Sequence, residues 1–412
     1  MGRIVQKYGG SSVATIEKII RVAERIKRTA KEGHEMVVVV SAMGDTTDEL
    51  LGMAKSISLN PDKRELDMLL TTGEQVSSAL LAMALRETGE KAVSLTGWQA
   101  GIRTESVHGN ARILQIDTKR IEKELAKGKI VVVTGFQGVT EAGEITALGR
   151  GGSDTTAVAL AAALHADRCE IYTDVTGVFT SDPRRIKKAR KLPAVSYDEM
   201  IEMAHLGAQV LHPRSVEFAK NFRVPLVVRS SMSDEEGTWI VEEEKMEKNL
   251  IVRGVAFEKN ITRITVHGLP DVMENLSAIF TGLARENVDV DIIIQNVSGE
   301  TENQVSFSVK DDQLNDALAV LEKLRGELGF KNVEWESALA KVSIVGSGMV
   351  SNPGVAAKMF STLAENGIFI KMISTSEIKI SVVVDEEQMI RAAETLHHAF
   401  GLDRAEREVK TK

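Results

Sequence analysis

Leu148-Gly149-Arg150-Gly151-Gly152-Ser153-Asp154 leads without a break into Thr155-Thr156-Ala157-Val158-Ala159-Leu160-Ala161-Ala162-Ala163-Leu164, so a glycine-rich turn opens directly onto an apolar helix. Adjacent glycines let backbone N–H groups approach a ligand, and a helix N-terminus adds unpaired N–H groups and roughly half a positive charge. Arg150 supplies a planar fork for a carboxylate or phosphate. Asp154 repels a bare phosphate but pairs with an ammonium, so the two charges suit a zwitterion such as an amino acid. By itself the stretch also fits an N-cap at Ser153 or Asp154 beside a solvated arginine.

Outward from this turn, short apolar runs alternate with longer helical patterns from the N-terminus to about Ile240. Ile4–Tyr8, Met36–Ser41, Lys91–Leu95, Ile130–Gly135, Glu170–Thr173 and Leu226–Arg229 read as strands; 16–32, 72–88, 118–127, 153–165 and 197–222 carry helical spacing. The runs Val37–Val40 and Val131–Val133 require strands covered on both faces. The fold class is therefore α/β, a three-layer αβα sandwich around a mostly parallel sheet.

The charged segment Glu242 to Asn249 reads as a linker. Beyond it a gapless repeat at a constant offset of 80 residues pairs Ile264 with Ile344, Gly268 with Gly348, Phe280 with Phe360, Leu283-Ala284 with Leu363-Ala364, and Val288 and Val290 with Ile368 and Ile370. Each copy reads βαββαβ, a ferredoxin-like α+β unit. Three domains result, at residues 1–245, 262–337 and 341–412.

Composition narrows the function classes. A chain of 412 residues with 43% hydrophobic and 27% charged residues has the balance of a globular protein. A formal charge of −8 opposes a nucleic-acid partner, and the basic run Arg184 to Lys191 lacks interleaved aromatics. The lone Cys169 leaves no intramolecular disulfide and points to a reducing compartment, the cytoplasm. The opening residues enter a strand with no apolar signal core, and no run approaches the ~18 apolar residues of a membrane span, so neither export nor a membrane is expected.

Three further segments carry chemistry. Lys7-Tyr8-Gly9-Gly10-Ser11-Ser12 lies where the first strand meets the first helix, the edge at which open α/β sheets bind ligands. Its glycines can wrap phosphate oxygens, and Lys7 supplies a point charge for a transferring phosphoryl group. Ser41 and Thr71-Thr72-Gly73-Glu74 fall on the same rim, although Glu74 equally suits a helix N-terminus. Tyr172 to Arg184 follows a strand with a turn-rich loop whose carboxylates suit Mg²⁺-nucleotide or ribose. No GxxxxGK[ST] loop occurs, and Val342 to Gly348 imitates a dinucleotide fingerprint without its third glycine. The histidines show no metal-ligand spacing, and no resident metal is expected.

In order and spacing, Lys7–Ser12, Val40-Ser41-Ala42, Thr72-Gly73-Glu74, Leu148–Asp154 and Thr173–Arg184 resemble the amino-acid kinase family, and within it the members that phosphorylate aspartate. The tandem repeat is similar to the paired ACT domains of those enzymes. The resemblance implies ATP-dependent phosphorylation of the L-aspartate β-carboxylate to 4-phospho-L-aspartate, with ATP and Mg²⁺ entering as the substrate complex and no prosthetic group. It implies that Arg150 and Asp154 hold the amino acid's carboxylate and ammonium, with Gly151, Gly152, Ser153, Ser41 and Glu74 in the same pocket and Glu74 taking a catalytic part. Lys7 would stabilise the transferring phosphoryl group, beside Tyr8, Gly9 and Gly10. Thr173, Asp174, Phe179, Asp182 and Arg184 would serve the nucleotide. Two positions depart from the family pattern: Phe179 replaces a frequent Tyr, and Gln209 stands where some members carry a nucleotide-contacting Lys. ACT pairing implies lysine and/or threonine as feedback effectors, with Asp271, Gln295 and Asn296 offering a carboxylate and two amides. It also implies a homodimer or higher oligomer, and a regulatory subunit starting at Met246 in some relatives. Acetylglutamate or glutamate 5-kinase activity would keep the fold and change the acceptor; a non-catalytic amino-acid sensor would keep only binding.

Overall fold

In the computed structural model, which describes residues 2–206, 210–242, 251–270, 272–296 and 303–404, the chain divides into two units. Residues 2–179, 191–205 and 210–242 belong to the first; 180–190, 206, 251–270, 272–296 and 303–404 belong to the second.

The first unit begins with β1 (Arg3–Tyr8) and α1 (Ile16–Lys31), the latter capped by Thr15, whose side chain accepts from the Lys18 N–H. β2 (Glu35–Val40) is followed by three helices, α2 (Thr46–Ile57), α3 (Lys63–Leu70) and α4 (Thr72–Glu87). Then come β3 (Ala92–Leu95), β4 (Ile102–Thr104), β5 (Ile113–Ile116), α5 (Lys119–Leu125), β6 (Ile130–Thr134), β7 (Gln137–Val139), β8 (Ile145–Ala147), α6 (Gly152–Ala163) and β9 (Arg168–Thr173). β10 (Ala194–Ser196), α7 (Tyr197–His205), α8 (Pro213–Phe222), β11 (Leu226–Ser230) and β12 (Thr238–Val241) complete it.

The valine runs occupy the middle of an eight-stranded sheet of order β10-β12-β11-β9-β1-β2-β6-β3, parallel throughout except between β11 and β12. On one face Ile4, Tyr8, Val38, Val40 and Val132 pack with Ile19, Val22 and Ile26 of α1 and with Leu81 and Leu85 of α4. The other face is covered by α6, whose alanines let it lie close against β1, β2 and β9 and bury Gly152 to Ala161. This is the αβα sandwich that the alternating pattern implies, and it turns the C-terminal strand ends to one edge.

Three features differ from the sequence reading. A four-stranded sheet of order β5-β4-β7-β8 projects before the glycine turn; its strands of three or four residues are too short to show a period. The helix read over 197–222 is two helices: Pro213 begins α8, and His212 before it takes an extended conformation (φ −79°, ψ 134°), as the residue before a proline prefers. α3 and α4 run on from Lys63 to Glu87, long and apolar enough by composition to cross a membrane, against the expectation of no such run. Here α4 is a core helix, with Leu81 and Leu85 packed on the sheet.

Among the described residues the second unit is one six-stranded antiparallel sheet of order β14-β15-β13-β16-β18-β17 with four α-helices. Its elements are β13 (Gly254–His267), α9 (Val272–Arg285), β14 (Ile293–Asn296), β15 (Gln304–Lys310), α10 (Leu314–Leu328), β16 (Asn332–Val345), α11 (Val355–Glu365), β17 (Met372–Thr375), β18 (Lys379–Asp385) and α12 (Met389–Ala399). Repeat-related residues fill equivalent places in two cores: Ile264, Leu283 and Val288 in one, Ile344, Leu363 and Ile368 in the other. The second copy departs from βαββαβ. Among the described residues no strand follows α12; Gly254–Glu258, at the start of β13, pairs with Lys341–Val345 and supplies the missing edge from ahead of the first copy. Gly346 to Gly348 ends an antiparallel strand, so the dinucleotide-like glycines have no parallel βαβ setting.

Residues 180–190 fold with this second unit. Ile186 enters the core built around Val252, Val255 and Met359, the Val255 N–H donates to the Thr180 carbonyl at 2.8 Å, and Ser181 Oγ donates to the Val255 carbonyl at 2.7 Å.

Candidate active site

The parallel sheet brings three of the four sequence segments, and the start of the fourth, to one edge. Lys7, next to last in β1 and 9% exposed, has its Nζ 2.6 Å from Asp154 Oδ1 in the first turn of α6. Asp154 does not cap that helix. The N-cap is Gly151, in the left-handed region at φ 68°, where a Cβ would stand 2.2 Å from His212 Cβ, so only glycine fits. Ser153 and Asp154 are thereby free to face β2 and β1. Ser41, just beyond β2, donates from Oγ to Ser153 Oγ at 3.0 Å.

Glu74 lies in the first turn of α4 but turns back to the same edge, accepting from the Ala42 N–H at 3.2 Å. Its second oxygen is buried without a hydrogen-bond partner. Burial raises its pKa to about 7, against the lowering effects of its backbone hydrogen bonds and the nearby Lys7 ammonium. The neighbourhood thus holds a buried ammonium, a carboxylate paired with it, and a second carboxyl poised between its two forms near neutrality. Such a set accepts either a cation or a developing negative charge with little rearrangement.

Gly10 packs where no side chain can: a Cβ there would approach the Ala42 carbonyl to 2.9 Å and the Gly44 carbonyl to 3.1 Å. Gly9 donates to the Tyr172 carbonyl at 3.2 Å and ties this turn to the end of β9. There Thr173 Oγ1 donates to Asp174 Oδ1 at 3.0 Å, and Ser231 donates to the Thr173 carbonyl from N and Oγ. Arg150 is exposed and makes no hydrogen bond or ion pair among the described residues.

Tyr8 is a correction. Its ring is fully buried on the α1 face, stacked on Tyr172 with centroids 4.7 Å apart, and its hydroxyl donates to Gln6 Oε1. Alternation along β1 sends Lys7 and Tyr8 to opposite faces, and the Tyr8 carbonyl already accepts from the Ser41 N–H at 3.1 Å. Phe179 lies in the first unit, bridged to Lys191. Asp182 and Arg184 belong to the second unit, where Asp182 Oδ1 accepts from the Arg184 N–H and closes a turn. Gln295 and Asn296 are exposed on β14. Asp271, Gln209 and Met246 lie outside the described residues.

Sequence reasoning missed several residues that shape the site. Gly135, after β6, would clash with Ser153 if it carried a Cβ. His212 stands against Gly151; burial lowers its pKa and Asp154 partly restores it. Arg214 Nη1 donates to the Leu148 carbonyl at 2.7 Å. The available signal for the last two was His212-Pro213-Arg214 at a helix entrance.

Residues 2–230 match the sequence profile of the amino acid kinase family, and 342–400 that of an ACT domain. An aspartokinase of Bacillus sp. (strain MGA3) is 64% identical over 402 residues, 98% of each chain. The crystal structure of E. coli aspartokinase III in complex with aspartate and ADP superposes with a TM-score of 0.81 at 27% identity, covering 96% of this chain and 99% of that one. The complex of that enzyme with lysine and aspartate gives 0.76 over the same shares.

Proposed function

The chain belongs to the amino acid kinase family, and on that basis we propose that it transfers the γ-phosphoryl group of MgATP to the β-carboxylate of L-aspartate. One carboxylate oxygen attacks the γ-phosphorus in line, the bond to the β–γ bridging oxygen breaks, and ADP leaves with 4-phospho-L-aspartate as the other product. The observation that carries this reading is the Lys7–Asp154 pair beside Glu74 at the sheet edge, in a chain 64% identical to an aspartokinase along almost its whole length.

The acceptor carboxylate is already ionised at pH 7, so the task is charge neutralisation and alignment rather than deprotonation. Lys7 neutralises charge on the transferring group. The exposed Arg150 guanidinium takes the substrate α-carboxylate, while Asp154 and ionised Glu74 share the ammonium, with Ser41, Ser153 and the backbone of Gly151 and Gly152 lining the pocket. Gly9, Gly10, Thr173, Asp174 and Phe179 serve the nucleotide. Mg²⁺ arrives on the ATP phosphates, a role that needs few protein ligands; among the described residues no three His, Cys, Asp or Glu groups form a metal cluster.

The second unit regulates: its ACT fold and the lysine complex of E. coli aspartokinase III support feedback by lysine and/or threonine, with Asp271, Gln295 and Asn296 as ligand groups. A homodimer or higher oligomer, a separate subunit starting at Met246 and a cytoplasmic location complete the reading. ADP release by the purified protein, measured with aspartate, glutamate and acetylglutamate, tests the acceptor; lysine and threonine added singly and together test regulation. Turnover with either alternative acceptor and none with aspartate would refute the proposal.

A further inference from the structure

We infer that Arg214 is a positioning residue for the amino-acid substrate, holding the Leu148–Gly151 turn in the conformation that presents Arg150; this rests on the aspartate kinase reading. Arg214 stands second in α8, at the end of the helix where the macrodipole disfavours a cation. It is half-buried, and burial works against its charge, with nearby Arg112 adding to that effect and Glu105 and Glu217 opposing it. Its donors go instead to two loops. Nη1 donates to the Leu148 carbonyl at 2.7 Å and to Asn110 Oδ1 at 3.3 Å, and Nη2 donates to the Ala111 carbonyl at 2.7 Å. A cation set against both its helix dipole and its own desolvation, with these donors on neutral groups, makes sense as a brace.

The loop beside it is anchored from the other side. Asp67 of α3, 1% exposed, accepts from the Gly109 N–H at 3.0 Å and lies 2.9 Å from His108 Nδ1. Asn110 is therefore fixed between Asp67 and Arg214. The glycine turn is moulded against this frame: Gly149 has φ 77°, and a Cβ there would come within 2.6 Å of Asn110 Oδ1. Residues on three separate elements thus converge on a turn whose only long side chain, Arg150, makes no hydrogen bond or ion pair among the described residues. Arg214 touches none of the reacting atoms in the proposed scheme; it acts through the Leu148 carbonyl, one residue before the turn's first glycine.

The test compares wild type with Arg214→Lys and Arg214→Ala in one assay. Lysine keeps the charge, but a single ammonium cannot reproduce the fork that spans two carbonyls. Both variants should raise the KM for L-aspartate roughly tenfold or more while the KM for ATP stays within about twofold, since small displacements of a binding group carry effects of that size. An unchanged aspartate KM in Arg214→Lys, or equal rises in both KM values, would overturn the inference. Should Arg214→Ala fail to fold, Arg214→Lys decides alone. Absence of wild-type turnover with aspartate would overturn the kinase reading and this inference with it.

Discussion

Lys7 and Asp154 neutralise each other across 2.6 Å at the sheet edge, with little solvent around either. Exchanging the ammonium for a methyl thioether, Lys7→Met, keeps the volume and removes the charge. We expect kcat to fall by about 10³-fold, the scale set by losing one preorganised electrostatic group, with KM for aspartate much less affected. A kcat within tenfold of wild type would remove Lys7 from the chemistry. Glu74 gives a sharper signature because burial lifts its pKa to about 7. In the free enzyme its anionic form appears as pH rises through that value, so kcat/KM for aspartate should climb between pH 6 and 8 and flatten in Glu74→Gln. Stability runs the opposite way. A raised carboxyl pKa contributes stability that is complete below the unfolded value of about 4.5 and is lost as pH passes 7, a difference of roughly 3 kcal/mol. Glu74→Gln should therefore melt higher than wild type at pH 8 and close to it at pH 5; a lower melting temperature at pH 8 would contradict the burial account.

At the scale of elements, the segment 180–190 is tied not only to β13 but also to α12 and the turn after it. Thr180 Oγ1 accepts from the Arg190 N–H at 2.9 Å and lies 2.8 Å from His397 Nε2, and Arg190 Nε donates to the Leu402 carbonyl. Burial holds the His397 pKa below its usual value, against the opposing pull of Asp403, with Arg190, His398 and Lys188 adding to the lowering. A depressed histidine contributes stability above its unfolded pKa near 6.5 that is lost as pH falls through the folded value. Wild type should thus lose melting temperature below pH 6 more steeply than His397→Gln, whose amide does not titrate there; parallel losses would exclude His397 as the acid-sensitive contact. These elements also mark what was readable from sequence. The Val37–Val40 and Val131–Val133 runs made the central strands plain, because strands buried on both faces leave no other use for continuous valine. β4, β5, β7 and β8 left no periodic trace, and α2 keeps Met53 and Ile57 exposed, so its pattern gave no amphipathic signal. The polar ends of β1, β2 and α6 were legible because lysine, serine and aspartate beside glycine have few structural uses. Arg214 was not, because its partners are main-chain carbonyls about 66 and 103 residues away in sequence.

For the molecule as a whole, the two repeats of the second unit share one sheet, and β13 and β16 each serve both copies. The cost of losing a strand should therefore appear in the repeat that does not follow it directly. Deleting 254–258 from the full chain strips Lys341–Val345 of one neighbour, and the second copy, with Ile344, Val382 and Leu396 in its core, should open first. Hydrogen exchange should quicken in β16, β18 and α12 while β15 and α10 stay protected; uniform loss in both copies would contradict the shared-strand account. The 80-residue repeat disclosed two copies but not this exchange: 254–258 and 334–338 stand at the same offset ahead of the two copies, yet the sequence match begins only at Ile264 and Ile344.

The proposed reaction delivers a phosphoryl group to the side-chain carboxylate of aspartate. Incubating the purified protein with MgATP, L-aspartate and hydroxylamine, and identifying the trapped product by mass and chromatographic position, tests it most directly. We predict β-aspartyl hydroxamate in one-to-one yield with ADP, dependent on aspartate and lost in Lys7→Met. ADP formed without hydroxamate, or a hydroxamate of glutamate or acetylglutamate in its place, would contradict the account.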